Sequence, residues 1–223
     1  MVELITGLDG ARIAANLREV RERVARAAAV AGRDGAAVRV LAATKYVAEH
    51  ELPALAEGGI ELVGENRAQD LESKAASSAG LFEWHFIGQL QSRKVRAIVP
   101  HVTLIHSVAS SSALAQLQSH LGSARTDLQI LLEVNVSGEE GKAGIAPDAL
   151  ASFIERSPVP VAGLMTMPPL AANAQDSRRW FSALRELAET HGLKELSMGT
   201  SQDFEVAVEE GATIVRIGTS LYS

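Results

Sequence analysis

Short apolar segments alternate with helical patterns along almost the whole chain, and this alternation restricts the fold more than any other feature. The predicted strands, rich in β-branched residues, are Val38–Tyr46, Ile60–Glu65, Trp84–Gly88, Val102–Val108, Leu128–Ser137, Val159–Met167, Glu195–Gly199 and Thr213–Thr219. The predicted helices between them are Glu49–Glu57, Arg67–Ser77, Ser92–Ile98, Ser110–Leu121, Pro147–Glu155, Ala174–His191 and Gln202–Glu210. Strands that alternate with helices form βαβ units in a parallel sheet.

The number of strands indicates how this sheet closes. Eight parallel strands close a (β/α)₈ barrel, and 223 residues lie near the lower end of that fold's range, about 200 to over 400. A further helix, Asp9–Ala31, precedes the first strand, with Asp9 as N-cap and Gly32 after its end. An open doubly wound sheet usually carries a glycine fingerprint after its first strand, which ATKYVAE lacks. We predict a single-domain α/β chain, residues 1–223, folded as a TIM-type barrel with an extra N-terminal helix.

The composition excludes several classes of function. A net charge of −6 argues against general binding to nucleic acids or anionic membranes. The absence of cysteine excludes disulfides, thiolate catalysis and zinc–thiolate sites. The start, MVELITGLDG, lacks the pattern of a signal peptide, and no apolar run is long enough to span a bilayer. We therefore expect a cytoplasmic protein.

The histidines do not indicate a metal site. They are His50, His85, His101, His106, His120 and His191, and no pair shows HExxH or another ligand spacing. His85 and His106 lie inside predicted strands, where hydrogen-bonded structural histidines outnumber catalytic ones. We expect no metal.

Hydrogen-bonding residues or glycines stand where nearly every predicted strand ends. Working residues of such barrels lie at the C-terminal ends of the strands, on one rim. In chain order these ends hold Lys45, Glu65-Asn66, Gly88-Gln89, Ser107, Asn135, Met167, Ser197 to Ser201, and Arg216 to Thr219. A sequence that only filled a core would not show this regularity, so the rim is the predicted site.

The last two strands each lead into Gly-Thr-Ser, in SMGTSQDFE and VRIGTS. Ser201 precedes a predicted helix start, where backbone N–H groups and the helix dipole favour an anion. The loops after strands seven and eight of this fold commonly hold phosphate. An alternative interpretation is that Thr200, Ser201 or Asp203 only caps the helix, but two such turns on adjacent strands favour a phosphate site.

Lys45 ends the first predicted strand, although lysine is among the residues least often buried. A structural interpretation is that the amine reaches solvent at the rim or pairs with a carboxylate such as Glu65. A functional interpretation is that the amine forms a Schiff base with a carbonyl compound. Beside a phosphate site, such an amine suits a ligand that has both an aldehyde and a phosphate. Pyridoxal 5′-phosphate has both.

Arg216 adds a second indication of the same ligand. It lies inside the last predicted strand, two residues before Gly218 and on the same face. An arginine there can donate to a pyridine nitrogen, a recognised partner for this cofactor. Because arginine stays protonated, the ring nitrogen would stay unprotonated and withdraw electrons poorly. Racemisation would also need a second base, and neither Tyr46 nor Tyr222 is obviously placed for that task.

From Val38 to the C-terminus the chain resembles the pyridoxal phosphate homeostasis proteins, single-domain relatives of alanine racemase also called proline synthase co-transcribed proteins. The motifs that carry the resemblance are ATKY, VGENRAQD, WHFIGQLQSRK, HSVAS, NVSGEEGKAG, GLMTM and SMGTSQDFEVAVEEGATIVRIGTSLY. The resemblance implies a barrel of fold type III among proteins that bind this cofactor. The site it implies consists of Lys45 as Schiff-base lysine, Asn66 beside the cofactor, Arg216 on the pyridine nitrogen, and Ser201, Gly218 and Thr219 on the phosphate.

Three positions depart from the family pattern. Arg93 stands where the family usually has Asn, Ala109 where it has Asp, and Thr200 where it has Met. The first two affect contacts at the rim whose role is unknown. Thr200 is next to the phosphate turn and could add a hydroxyl to it.

Three functions are compatible with this site. The first is a carrier without catalysis that stores pyridoxal phosphate in the cell and delivers it to apoenzymes that depend on it, as a monomer. The second is a pyridoxal-phosphate-dependent amino-acid racemase. The third is an aldolase in which Lys45 attacks a phosphorylated sugar, but an aldolase needs no arginine behind a pyridine ring. The missing second base favours the carrier over the racemase.

Overall fold

Eight parallel strands form a closed barrel in the computed structural model, which describes residues 4–169 and 171–223. The strands are β1 (Arg39–Ala43), β2 (Leu62–Glu65), β3 (Glu83–Phe86), β4 (Leu104–Val108), β5 (Gln129–Glu133), β6 (Val161–Met165), β7 (Glu195–Thr200) and β8 (Ile214–Ile217). They pair in chain order, and β1 closes the barrel by pairing with β8, with Arg39 beside Ile214 and Ala42 beside Ile217. The predicted barrel is confirmed.

The helices follow the predicted alternation. They are α1 (Gly10–Val30), α2 (Leu52–Glu57), α3 (Ala68–Ser77), α4 (Val95–Ile98), α5 (Ser111–Ser119), α6 (Leu150–Glu155), α7 (Arg178–Thr190) and α8 (Phe204–Glu209). The Asp9 side chain caps α1 by accepting from the backbone N–H of Arg12, at 2.8 Å. A 3₁₀ turn precedes α2, α4, α6 and α7, which accounts for their later starts.

Several strands are shorter than predicted at their C-terminal ends, on the side of the rim. Lys45 and Tyr46 form a turn after β1, while Gly88 and Met167 lie beyond β3 and β6. The backbones of these residues lie outside the sheet, and the side chains of Lys45, Tyr46 and Met167 line one cavity at the rim.

The core has two parts, as a barrel surrounded by helices requires. Inside the barrel, apolar side chains from six strands form one cluster: Leu41, Leu62, Leu104, Leu131, Met165 and Ile214. The other faces of the strands pack against the helices in a larger cluster. The extra helix α1 buries Ile13, Leu17, Val20 and Val24 and packs against α2 and α8. No helix in the described ranges combines the length and apolar character needed to cross a membrane.

Candidate functional site

One cavity of about 390 Å³ opens at the C-terminal rim, within the usual size range of small-molecule sites, about 300–1,000 Å³. All six predicted site residues line it: Lys45, Asn66, Ser201, Arg216, Gly218 and Thr219. Met167, which the sequence placed on the rim, also lines the cavity, whereas Ile5 and Tyr222 line it without having been predicted there. Ile5 arrives there because its backbone pairs with that of Val47, a long-range contact that local periodicity does not indicate.

Lys45 is exposed in the turn after β1, and its Nζ lies 4.8 Å from the centre of the Tyr46 ring. The alternative in which Lys45 pairs with Glu65 is wrong. Oε2 of Glu65 lies 2.8 Å from Nζ of the buried Lys74, so this carboxylate already has a cationic partner. Among the described residues no carboxylate forms an ion pair with Lys45, and its amine is available to a ligand.

Asn66 lines the same cavity and carries a buried acceptor. Its backbone N–H donates to Oε1 of Glu65 at 2.7 Å, which fixes the chain where it leaves β2. Its side-chain Oδ1 is buried without a hydrogen-bond partner among the described residues. A buried polar group left unpaired costs roughly 1–3 kcal/mol, so this oxygen is suited to a donor on a bound molecule.

The two Gly-Thr-Ser turns meet, as their positions on adjacent strands predict. Oγ of Ser201 lies 3.1 Å from Oγ of Ser220 and accepts from the backbone N–H of Gly218 at 3.3 Å. Gly199 has φ +88°, and a Cβ there would lie 2.6 Å from that of Ala207. Only glycine therefore allows the first turn to pack this closely against α8.

Thr200, one of the departures from the family pattern, lines the cavity, but the proton of its hydroxyl is used within the turn. Both its Oγ1 and its backbone N–H donate to Oδ1 of Asp203, at 3.2 and 2.8 Å. Asp203 occupies the N-cap position of α8, but its side chain makes no capping hydrogen bond and closes the turn instead, while Ser201 remains in the cavity wall. Arg93, another departure, contacts Gln91 Oε1 at 3.2 Å, and neither it nor Ala109 lines the cavity.

Arg216 is buried at the base of the cavity and is held on two sides. Its Nη1 donates to Oγ of Ser197 at 2.6 Å, and its Nη2 donates to the carbonyl of Thr166 at 3.0 Å. Nη2 also lies 2.8 Å from the sulfur of Met167. Burial lowers the pKa of Arg216 to about 10, so the guanidinium remains protonated at neutral pH. The site therefore combines a free amine, an unpaired amide oxygen, a hydroxyl-lined turn and a fixed cation.

This fold and rim site define a barrel of the alanine racemase type: residues 8–223 match the family model described as alanine racemase, N-terminal domain. A pyridoxal phosphate homeostasis protein of Aquifex aeolicus is 41% identical over 217 residues, covering 92% of this chain and 95% of the relative. One from Pseudomonas aeruginosa is 40% identical and covers 94% of each chain. The chain belongs to the family of pyridoxal phosphate homeostasis proteins.

A solved structure supports the same classification. PipY of Synechococcus elongatus, in a structure with pyridoxal phosphate bound, has a TM-score of 0.79 and 29% sequence identity to this chain. The match covers 95% of this chain and 100% of PipY. The barrel and its topology are therefore shared along the whole length of that protein.

Proposed function

We propose that this chain binds pyridoxal 5′-phosphate in the rim cavity, through a Schiff base to Lys45, and stores and delivers it within the cell without turning over amino acids. The observation that carries this proposal is the convergence of all six predicted residues on one cavity. Relatives at 40 and 41% identity that are named for pyridoxal phosphate homeostasis support it, as does the cofactor bound to PipY.

The residues present fit the chemistry of this cofactor. Oδ1 of Asn66, buried without a partner, is an acceptor in need of a donor. Ser201 and Thr219 offer hydroxyls, and the backbone at Gly218 is open, since a Cβ there would meet nothing within 4 Å. Hydroxyls and open backbone are suited to a phosphate, and protonated Arg216 is suited to an unprotonated ring nitrogen.

Pyridoxal phosphate supplies an aldehyde and an electron-withdrawing ring when bound. The residues of this chain are better suited to binding the cofactor than to catalysis that depends on electron withdrawal by its ring. Arg216 donates hydrogen bonds and keeps its own proton, so it cannot protonate the ring nitrogen and strengthen the withdrawal of electrons. Lys45 supplies the amine that holds the aldehyde carbon.

The ionisable groups in the cavity wall do not supply an evident second base, which racemisation would need. In the described part of the chain, these groups are Lys45, Arg216 and the phenols of Tyr46 and Tyr222. The hydroxyl of Tyr222 donates to the carbonyl of Ala43 at 3.0 Å, and burial raises the pKa of this phenol. Tyr222 is therefore a poor base, which supports a carrier over a racemase.

The experiment compares two activities: exchange of the α-proton of amino acids, and delivery of pyridoxal phosphate to an apoenzyme. Protein loaded with pyridoxal phosphate is incubated with L-alanine and other amino acids in deuterated water, and separately with an apoenzyme that depends on this cofactor. We expect activation of the apoenzyme and no deuterium at the α-carbon. Deuterium incorporation at a rate typical of enzymes, roughly 1 per second or faster, would contradict the carrier proposal. Equilibrium sedimentation tests the further proposal that the carrier is a monomer.

A further inference from the structure

A chain of hydrogen-bonded side chains crosses the barrel interior beneath the cavity. It starts at Nη1 of Arg216, which lies 2.6 Å from Oγ of Ser197. Ser197 Oγ lies 2.8 Å from Nδ1 of His106, and Nε2 of His106 lies 2.9 Å from Nδ1 of His85. The chain ends where Nε2 of His85 lies 2.9 Å from Oε1 of Glu83. Four strands, β8, β7, β4 and β3, contribute to it.

The two ends of this chain determine the direction of every hydrogen bond in it. Arginine can only donate, so Ser197 accepts from Arg216 and has its own proton left to give. Among the described residues the one remaining acceptor for that proton is Nδ1 of His106. His106 therefore carries its proton on Nε2 and donates to Nδ1 of His85.

The opposite end gives the same direction. Glu83 accepts from Thr103 at 2.8 Å and pairs with Arg39, and its hydrogen bond with His85 is the main cause that lowers its pKa to about 2. An ionised carboxylate only accepts, so His85 donates from Nε2 and accepts at Nδ1. Both rings are thus neutral and protonated on Nε2. Burial agrees with this, since it lowers the pKa of His85 and lowers that of His106 further.

We propose that Ser197 and His106 are positioning residues for Arg216, which fix its guanidinium in the orientation that faces the ligand in the cavity. The proposal rests on the proposed function, because the ligand is the pyridine ring of pyridoxal phosphate. Hydrogen bonds that all run in one direction polarise one another in a low-dielectric interior. Arg216 meets a neutral hydroxyl rather than a carboxylate, so its charge is held in place without a counter-ion in direct contact among the residues that the structure describes.

Substitutions within this series of hydrogen-bonded side chains test whether Ser197 and His106 position Arg216 or only stabilise the fold. Ser197→Ala and His106→Leu each break the chain, whereas His106→Gln keeps one acceptor and one donor. Thr213→Val is the matched control, because it removes hydrogen bonds with Glu195 and Leu196 that join the residue before β8 to β7. The readouts are the dissociation constant of pyridoxal phosphate and the absorption maximum of the bound cofactor.

We expect Ser197→Ala and His106→Leu to weaken binding roughly tenfold and to shift the absorption maximum, with His106→Gln restoring most of both. Thr213→Val should change neither. Wild-type affinity and an unshifted maximum in both chain-breaking variants would overturn the inference while leaving the cofactor site intact. A wild-type protein that does not bind pyridoxal phosphate would instead contradict the proposed function.

A measurement on cofactor-free wild-type protein tests the chain without any variant. Nitrogen-15 NMR of the imidazoles distinguishes the two neutral tautomers from the charged ring. We expect both His85 and His106 to be neutral and protonated on Nε2. A proton on Nδ1 of His106, or a charged ring at neutral pH, would overturn the direction of the chain and with it the role assigned to Ser197.

Discussion

Nζ of the buried Lys74 lies 2.8 Å from Oε2 of Glu65 and 2.8 Å from the carbonyl oxygen of Thr44. Oε1 of the same carboxylate accepts from the backbone N–H of Asn66. This ion pair therefore connects α3 to the two segments that carry Lys45 and Asn66 into the cavity. It organises the site without lining the cavity itself.

Breaking this pair should destabilise the protein. Lys74→Met keeps the aliphatic stem of the side chain but leaves Glu65 buried without a cationic partner. Loss of one member of a buried pair typically costs about 3–5 kcal/mol, measured as the free energy of unfolding in urea. The double variant Lys74→Met with Glu65→Gln removes both charges and should lose less. Equal losses in the two variants would show that an uncompensated charge is not the cause.

The second prediction concerns the two meeting turns. Ser201→Ala and Thr219→Val should each weaken retention of pyridoxal phosphate, since a hydrogen bond to a charged group is worth about 1.5–3 kcal/mol, or roughly ten- to a hundredfold in affinity. Thr190→Val is the control, because its hydroxyl donates to Glu186 on the distant helix α7. Unchanged affinity in both turn variants would place the phosphate elsewhere.

The third prediction concerns the close approach of two rim segments. A Cβ at Gly88 would lie 2.0 Å from the carbonyl oxygen of Asn66, whereas one at Gly122 would meet nothing within 4 Å. Gly88→Ala should therefore lower the free energy of unfolding by at least about 1–3 kcal/mol. It should also weaken cofactor binding, because the added methyl group displaces Asn66. Gly122→Ala should leave binding unchanged. Equal behaviour of the two variants in thermal unfolding and binding would contradict this contact.

The fourth prediction follows from the buried histidines. Burial lowers the pKa of both His85 and His106, so below about pH 6.5 the unfolded chain binds more protons than the folded one. Stability should therefore fall as the pH falls, by up to about 1.4 kcal/mol per pH unit for each histidine.

Urea unfolding between about pH 7.5 and about pH 5.5 measures this slope. The variant His85→Gln with His106→Gln should show a flatter dependence. His191→Gln, at the half-buried end of α7, is the control and should keep the wild-type slope. A wild-type slope in the double variant would exclude these histidines as its source.

The sequence predicts the barrel well because periodicity reports which residues face a core, and eight alternating segments leave few alternatives. It also predicts which residues share the rim, since strand ends in a barrel all reach one face. It did not reveal the pair of Lys74 and Glu65, because that contact joins a helix to a strand end and depends on tertiary distances. The sequence did suggest that Glu65 pairs with a lysine, but it suggested Lys45 instead of Lys74.

The series of hydrogen-bonded side chains inside the barrel, from Arg216 to Glu83, gave only a weak signal in the sequence. Glu83 and His85 are two residues apart in one strand and so share a face, and His106 and Ser197 also lie within strands. Polar residues repeated on inward-facing positions indicate a buried network. Identifying the partners, however, requires the barrel register, which pairs His85 with Leu104 and thereby brings His106 within reach.

The central claim is that Lys45 holds pyridoxal phosphate covalently. Protein loaded with the cofactor is reduced with borohydride, which makes the link to the lysine permanent, and the digested protein is mapped by mass spectrometry. We expect the label on Lys45, and we expect Lys45→Ala to lose the label and the yellow colour while the surface variant Lys194→Ala keeps both. Label recovered on Lys74, Lys94 or Lys142 of the wild-type protein would contradict the claim.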